Sequence, residues 1–309
     1  MATPDPALVD TSDFYIDQTD IEVDLSNSRK FSFIQQFAQR VDFGYAGGRW
    51  LNVNDIQGGF VGAEGGKKPI ANPTTTKDNM VVREWAVVVP LPKRLVDANP
   101  QRAVERIRAR IPEAFARDFD TLATTGAGVG GQDNLSQVTQ TVSLGTKTVA
   151  NGGLFADLNE GLRILVSQGR RLTGTVLDDL AEPVFNGAVD LQGRPLWVDS
   201  PVGPDTSETV RQGRLMGRPA AYVPQIAVGT GSTKTIGYMG DWSRLLWGQI
   251  TPIEYLVSTE GTYVDGDGTT HSAVQENLVL VRAECLIGVG LADANAFVRI
   301  LAGTTSAAS

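Results

Sequence analysis

The stretch that most constrains the fold is residues 99–123, which read as one uninterrupted amphipathic helix. Val104, Ile107, Ile111, Phe115, Phe119 and Leu122 are three or four residues apart, which puts them on a single face at 3.6 residues per turn. Asn99 supplies an N-cap, and Pro100 suits the first helical position, where its missing N–H would have no intrahelical partner anyway. At 1.5 Å per residue such a helix runs about 36 Å, the width of a small domain. Pro112 removes a hydrogen bond from its middle and predicts a bend there. A helix this long serves as the spine of whatever domain holds it.

The opposite side of the helix carries Arg102, Arg106 and Arg110 in a stripe. Like charges at that spacing repel by a few tenths of a kcal/mol per pair. The stripe is therefore either a solvated face relieved by Glu105 and Glu113, or a surface that meets acid from elsewhere. Residues 1–24 offer that acid: they hold Asp5, Asp10, Asp13, Asp17, Asp20, Glu22 and Asp24 and no Lys or Arg. Too little apolar surface accompanies these charges for the segment to fold alone. It is a tail, or an arm that orders against an arginine cluster.

The totals narrow the function. A chain of 309 residues with 41% hydrophobic content can build one elaborate domain or two. Its net charge of −8 argues against a protein that grips duplex DNA through phosphate contacts, which needs a basic footprint. Cys285 is the only cysteine, which excludes an internal disulfide and a cysteine zinc site. The N-terminal residues lack the basic and then apolar run of a signal peptide, and no apolar stretch reaches the ~18 residues of a membrane span. This predicts a soluble protein made in a cytoplasm, with no membrane partner.

Along the chain, residues 31–41 predict a short helix with Phe31, Ile34 and Phe37 on one side. Residues 44–79 are glycine-rich and aperiodic. A compact domain rarely holds so long a structureless loop, so the stretch reads as an extended hairpin leaving the body of the protein. It leads into a strand at 80–89, ended by Pro90 and Pro92. A second helix is expected over 154–169, with Leu154, Leu158, Leu162 and Leu165 on one face and Gly169 ending it. Strands at 173–177 and 194–198 flank a short helix at 180–189, the alternation of an α/β layer. Ile253, Tyr255, Val257 and Thr259 alternate with polar residues, as do Val279, Val281, Ala283, Cys285, Ile287 and Val289. They make a long β-hairpin with one buried face and a turn-rich stretch, 260–275, between its strands.

Catalytic and ligand chemistry find little support. Gly126, Gly128 and Gly131 match the G-x-G-x-x-G pattern, but they follow a helix instead of opening one, so they read as a loop. His271, the only histidine, falls in the polar hairpin loop, and Cys285 sits on the apolar face of a strand, where it acts as a small hydrophobe. Asp265, Asp267, Thr269, His271 and Glu276 have calcium-loop spacing. Thr270 occupies the position that needs glycine, however, and the flanks are strands, so a tight polar turn accounts for them. The residues thus point to no catalytic group, cofactor site or metal site.

Four blocks in order carry a resemblance. The first is Glu64-Gly65-Gly66-Lys67-Lys68-Pro69, then 74–77, the strand 81–89 and Leu95-Val96-Asp97. The second is Thr173-Gly174-Thr175-Val176-Leu177-Asp178, followed by Gln192-Gly193-Arg194-Pro195-Leu196. The third is Leu215-Met216-Gly217-Arg218-Pro219, leading to Ile236-Gly237-Tyr238-Met239-Gly240-Asp241-Trp242, and the fourth is Val281-Arg282-Ala283-Glu284 with Ala296-Phe297-Val298. Together they resemble the tailed-bacteriophage major capsid proteins of the Hong Kong 97 fold.

The resemblance implies an α+β fold with an N-terminal arm at 1–44 and an E-loop hairpin at 45–80. It implies a peripheral domain at 81–141 holding the spine helix 99–123, and an axial domain at 142–252. The peripheral β-hairpin then falls at 253–290, with a return to the axial domain at 291–309. It implies a non-enzymatic structural protein of the virion, assembled in the host cytoplasm into the hexamers and pentamers of an icosahedral shell around double-stranded DNA, without sequence-specific binding. Portal and decoration proteins are its implied partners. The short stretch before Phe31 implies a separate scaffolding protein. Candidate contacts between subunits are Arg102, Arg106, Arg110, Asp17, Asp20, Asp24, Glu64, Lys67 and Lys68. Where some relatives place a crosslinking lysine, this chain has Gly65 with Lys67 and Lys68 nearby, so the resemblance leaves a covalent crosslink open. The alternative is an encapsulin-type compartment of the same fold. From another class, a nucleotide-binding α/β enzyme would have to use the 126–131 loop.

Overall fold

The computed structural model describes residues 32–45, 47–53, 60, 68, 70, 75–98, 100–131, 133–189, 193–199 and 211–305. Asp17, Asp20, Asp24, Glu64 and Lys67 lie outside the described residues, as do the side chains of Arg102 and Arg106.

The first elements are α1 (Phe33–Phe37), β1 (Gln39–Arg40), β2 (Gly48–Val53), β3 (Thr75–Pro92), α2 (Lys93–Ala98) and α3 (Pro100–Thr125). Ser32 caps α1, its hydroxyl accepting from Gln35 N at 3.1 Å and donating to the buried Asp120 of α3. The helix expected over 31–41 stops at Phe37. Gln39 and Arg40 pair instead with a strand from the far end of the chain, and a tertiary hydrogen-bond ladder overrides local helical spacing. The strand expected over 80–89 extends to both sides and passes through Pro90 and Pro92. Proline fits a strand where its nitrogen faces away from the partner.

α3 is the expected spine, 26 residues continuous through Pro112. Ile111, Phe115, Phe119 and Leu122 are all buried, and Ile107 packs against Val89, Leu91 and Val279. Burial of each large side chain contributes roughly 1.5–3 kcal/mol.

The chain continues with β4 (Thr141–Ser143), α4 (Gly153–Ser167), β5 (Gly174–Asp178), α5 (Glu182–Asn186), β6 (Trp197–Asp199), β7 (Gln212–Leu215), β8 (Arg218–Val223), β9 (Thr235–Gly240) and β10 (Leu245–Gln249). It closes with β11 (Glu254–Ser258), β12 (Thr262–Val264), β13 (Thr270–Ser272), β14 (Leu278–Leu291) and β15 (Phe297–Leu301). One sheet has the order β1-β10-β14-β3-β2, with β11 also on β14; the other runs β4-β15-β9-β5-β8-β7-β6. α4 ends in a Schellman motif: Arg170 N donates to Leu165 O and Gly169 N to Val166 O, with Gly169 at φ +68°.

β14 is the central strand of the first sheet. It pairs with β3 from Leu278↔Pro92 to Val289↔Val81, while β11 and β10 share its other edge. Val279, Val281, Ala283, Cys285, Ile287 and Val289 are all buried, as the alternation requires. The hairpin differs from expectation in two ways. Val257 on β11 is 41% exposed, because α3 covers β14 and β3 and leaves β11 at the margin. The turn-rich stretch forms a small hairpin of its own, β12 against β13.

Two large cores hold these layers, beside smaller clusters under α3 and the β12–β13 hairpin. One is bounded by α4 and the second sheet and contains Leu158, Leu165, Phe185, Tyr222 and Ile300. The other joins α1, α3 and both sheets through Ile34, Phe119, Val176, Trp242, Cys285 and Phe297.

Candidate assembly surfaces

The arm is rooted by one ring. Phe43 follows β1 and lies against glycines of three strands of the sheet: Gly248 of β10, Gly288 of β14 and Gly48 of β2. A Cβ at Gly288 would come 2.6 Å from Phe43 Cζ, and Gly248 is equally closed to a side chain. From this root β2 pairs with the first six residues of β3, Gly48↔Met80 to Val53↔Thr75. The same β3 strand then enters the core as the partner of β14, so the hairpin is a continuation of the sheet. Lys68, beyond the hairpin's paired residues, is exposed.

Above the sheet, rings form a ladder under α3: Trp85–Phe115 at 5.2 Å, Phe115–Phe119 at 6.2 Å and Phe119–Trp247 at 5.6 Å between centroids. Trp85 Nε1 donates to Asp118 at 3.0 Å, fixing the helix against β3. The opposite helix face carries the exposed Arg110. The far face of the sheet presents Leu256, Arg282 and Val88 in one cross-strand row, the two apolar members 51% and 43% exposed. In the next row Arg282 donates to Glu284 at 2.9 Å, beside Glu254.

On the second sheet, Arg211 ties together two strands and a helix. Its guanidinium donates to both oxygens of Asp199 at 2.7 and 3.0 Å, and to Glu182 and Asn186 at 2.7 Å each. Trp197 Nε1 adds a bond to Asp199 at 2.7 Å. The guanidinium bonds hold the Asp199 carboxyl below its ordinary pKa, and Asp199 in turn holds Arg211 firmly charged. The β7–β8 turn, Met216-Gly217, has φ +54° and +74°, the type I′ geometry that matches strand twist. Near it a half-open cavity of about 300 Å³ is lined by Phe155, Leu196, Val198 and Met216, with Arg194 and Arg214 among its walls.

The rejected chemistries can be placed as well. Gly126, Ala127, Gly128 and Gly131 all have positive φ and terminate α3, and Arg83 donates to Gly130 O. The motif is thus a helix end, with no helix opening on it to cradle a phosphate. Cys285 of β14 is buried in the core that α3 shares, where desolvation pushes its thiol up to about 12. His271 lies on β13, with Asp265 and Glu276 turned onto its ring nitrogens. Among the described residues no group of His, Cys, Asp and Glu is arranged to hold a metal ion, and no helix is long and apolar enough to cross a membrane.

Of the sequence-derived contact candidates, the structure locates Arg110 and Lys68 on the surface. The Phe43 seat, the Arg211 tie and the Val88–Leu256 row escaped sequence reasoning. The glycines at 248 and 288 were the only available signal for the first, and distant strand pairing creates the other two.

The layered α+β body, with its spine helix, long β-hairpin and arm, has the Hong Kong 97 fold. Solved structures agree: a chain from Gordonia phage Cozz matches with a TM-score of 0.70 at 18% identity, over 94% of this chain and 92% of that one. The phage capsid family model matches residues 18–301, and the chain belongs to that family. It is 34% identical over 281 residues to the probable major capsid protein gp17 of Mycobacterium phage D29, covering 89% of this chain and 86% of that one. It is 32% identical over 311 residues to its counterpart from Mycobacterium phage L5, covering 96% and 93%. Its function is that of a major capsid protein, a structural subunit whose copies form the icosahedral shell of a tailed phage.

Proposed function

We propose that this chain forms the hexamers and pentamers of a head that encloses double-stranded DNA, as a structural protein with no catalytic step of its own. The observation that carries the reading is the β2–β3 hairpin, an arm that continues a core strand beyond the body. Such an arm gains its order by lying against a neighbour, through strand addition or charge pairing. In this reading 45–80 is the E-loop and 1–44 the N-terminal arm. Residues 81–141 and 253–290 form the peripheral domain, and 142–252 with 291–309 the axial domain. Asp17, Asp20 and Asp24 pair with Arg102, Arg106 and Arg110 of a neighbouring copy, while Glu64, Lys67 and Lys68 make contacts from the E-loop. The net charge of −8 suits a wall that encloses DNA without binding its sequence. Assembly takes place in the host cytoplasm with portal and scaffolding proteins, and the finished shell can accept a decoration protein.

Electron microscopy of particles carrying this chain tests the reading. Genome-filled heads with tails are expected; a tailless cage around protein cargo would favour the encapsulin alternative. Reversing Arg102, Arg106 and Arg110 to Glu should abolish shells while circular dichroism of the subunit stays unchanged. Normal shells from that variant would exclude the arginine pairing.

A further inference from the structure

The β12–β13 hairpin is small, with Thr262↔Ser272, Tyr263↔His271 and Val264↔Thr270 as its register. An isolated two-stranded hairpin is marginal in water. His271 is 13% exposed and held on three sides. Nε2 lies 3.1 Å from Asp265 Oδ2, in the turn between the strands. Nδ1 lies 3.0 Å from each oxygen of Glu276, on the segment that leads to β14. Tyr263 of β12 stacks on the ring, with centroids 5.1 Å apart and planes within 16°. Asp265 is itself fixed, accepting from Asp267 N at 3.0 Å and Thr269 N at 2.8 Å. Behind the hairpin β14 contributes the apolar Leu278 and Leu280. Among the described residues the charged groups that act on the ring are Asp265 and Glu276, and both can only accept.

A neutral imidazole has one N–H, so it can satisfy one of these carboxylates and must turn a lone pair towards the other. Only the imidazolium donates to both. We propose that His271 is a proton-operated clasp: protonated, it staples the turn and the β14 approach onto the hairpin, and on losing its proton it releases one end and frees the β12–β13 flap. The bonds to Asp265 and then Glu276 raise the histidine above its ordinary 6.5, and the bond from the histidine lowers Asp265 below its ordinary 3.8. A raised histidine adds stability that is complete below 6.5 and disappears as pH rises through the folded value. A depressed carboxyl adds stability that is present above 3.8 and disappears as pH falls through its own folded value. The clasp is closed between these limits and opens outside them.

Because His271 is the only histidine, the full-length chain labelled with 15N in histidine alone gives one pair of ring-nitrogen signals. Both nitrogens should report N–H below the midpoint, which should lie above 6.5. Above that midpoint the imidazolium fraction falls about tenfold per pH unit. Hydrogen exchange of amides 262–272, corrected for base catalysis, should rise in step until the flap is fully open, while exchange in β14 stays constant. Glu276→Gln and Asp265→Asn should each move the midpoint down towards 6.5. His271→Gln should leave the flap open at every pH. A midpoint at or below 6.5, exchange that ignores the midpoint, or the same pH dependence in His271→Gln would overturn the proposal.

Discussion

The seat of Phe43 gives the sharpest test of how the arm is anchored. Three strands bring glycine beneath one ring, and an ideal Cβ at Gly288 would stand 2.6 Å from Phe43 Cζ and 2.9 Å from Met80 Cγ. Met80 is flexible and can turn aside, but the ring is wedged between Gly248 and Gly288, so Gly288→Ala must push Phe43 out of its seat. Overpacking of this kind costs about 1–3 kcal/mol. Phe43→Ala empties the seat; a fully buried phenylalanine would cost about 3–5 kcal/mol, and this half-buried one about half of that. In the double variant the new methyl occupies space the ring has vacated, so the two costs should overlap and leave a coupling of about 1–2 kcal/mol. Urea unfolding of the dissociated subunit, followed by tryptophan fluorescence, measures all four proteins. Additivity within about 0.3–0.5 kcal/mol would show that the ring does not rest on Gly288 and would refute the reasoning.

Asp178, buried at the end of β5, accepts backbone N–H bonds from Leu180 at 3.0 Å, Ile226 at 2.9 Å and Ala227 at 2.8 Å. Asp178→Ala strands three donors and should cost more than about 3 kcal/mol, while Asp178→Asn, which keeps one acceptor, should fall between it and the parent in thermal unfolding. The tie between Arg211 and Asp199 should show in acid: the Asp199 carboxyl is held low, so its contribution is present above 3.8 and is lost as pH falls through its folded value. In Asp199→Asn that part of the acid sensitivity should vanish, seen as a flatter stability curve below pH 4.

Sequence reasoning worked where periodicity and burial coincide. The stripe from Ile107 to Leu122 and the alternation from Val279 to Val289 are each buried against the other's element, so local pattern and tertiary packing gave one answer. It failed where pairing partners are remote. Gln39 and Arg40 have helical neighbours but lie alongside Leu246 and Trp247, more than two hundred residues away in sequence. The small hairpin in 260–275 went unread because its residues are mostly polar, and its cohesion comes from a histidine placed between two carboxylates. Arg211 and Asp199 are separated by residues with no periodic signal, and only the folded register of β6 against β7 brings them together.

Trp242 decides whether the two sheets behave as separate bodies. It is 1% exposed at the end of β9, and its ring meets Phe37 beyond α1's capped start at 5.8 Å and Phe297 of β15 at 5.4 Å. Its indole N–H donates to Gly174 O of β5 at 2.9 Å, and its backbone N–H donates to Thr173 Oγ1 at 2.9 Å. The same buried cluster contains Phe119 of α3 and Cys285 of β14, so the spine helix and the second sheet share one apolar interior. Trp242→Ala removes a side chain that touches both halves and should cost about 3–5 kcal/mol. Because the interior is shared, the loss should lower one common transition, with near-ultraviolet circular dichroism and exchange of β5 and β14 amides moving together. Two separated transitions, with β14 keeping its parent stability while β5 opens, would mean that the sheets fold independently. Common behaviour would leave the arm and the small hairpin as the parts of the subunit able to move without disturbing the core.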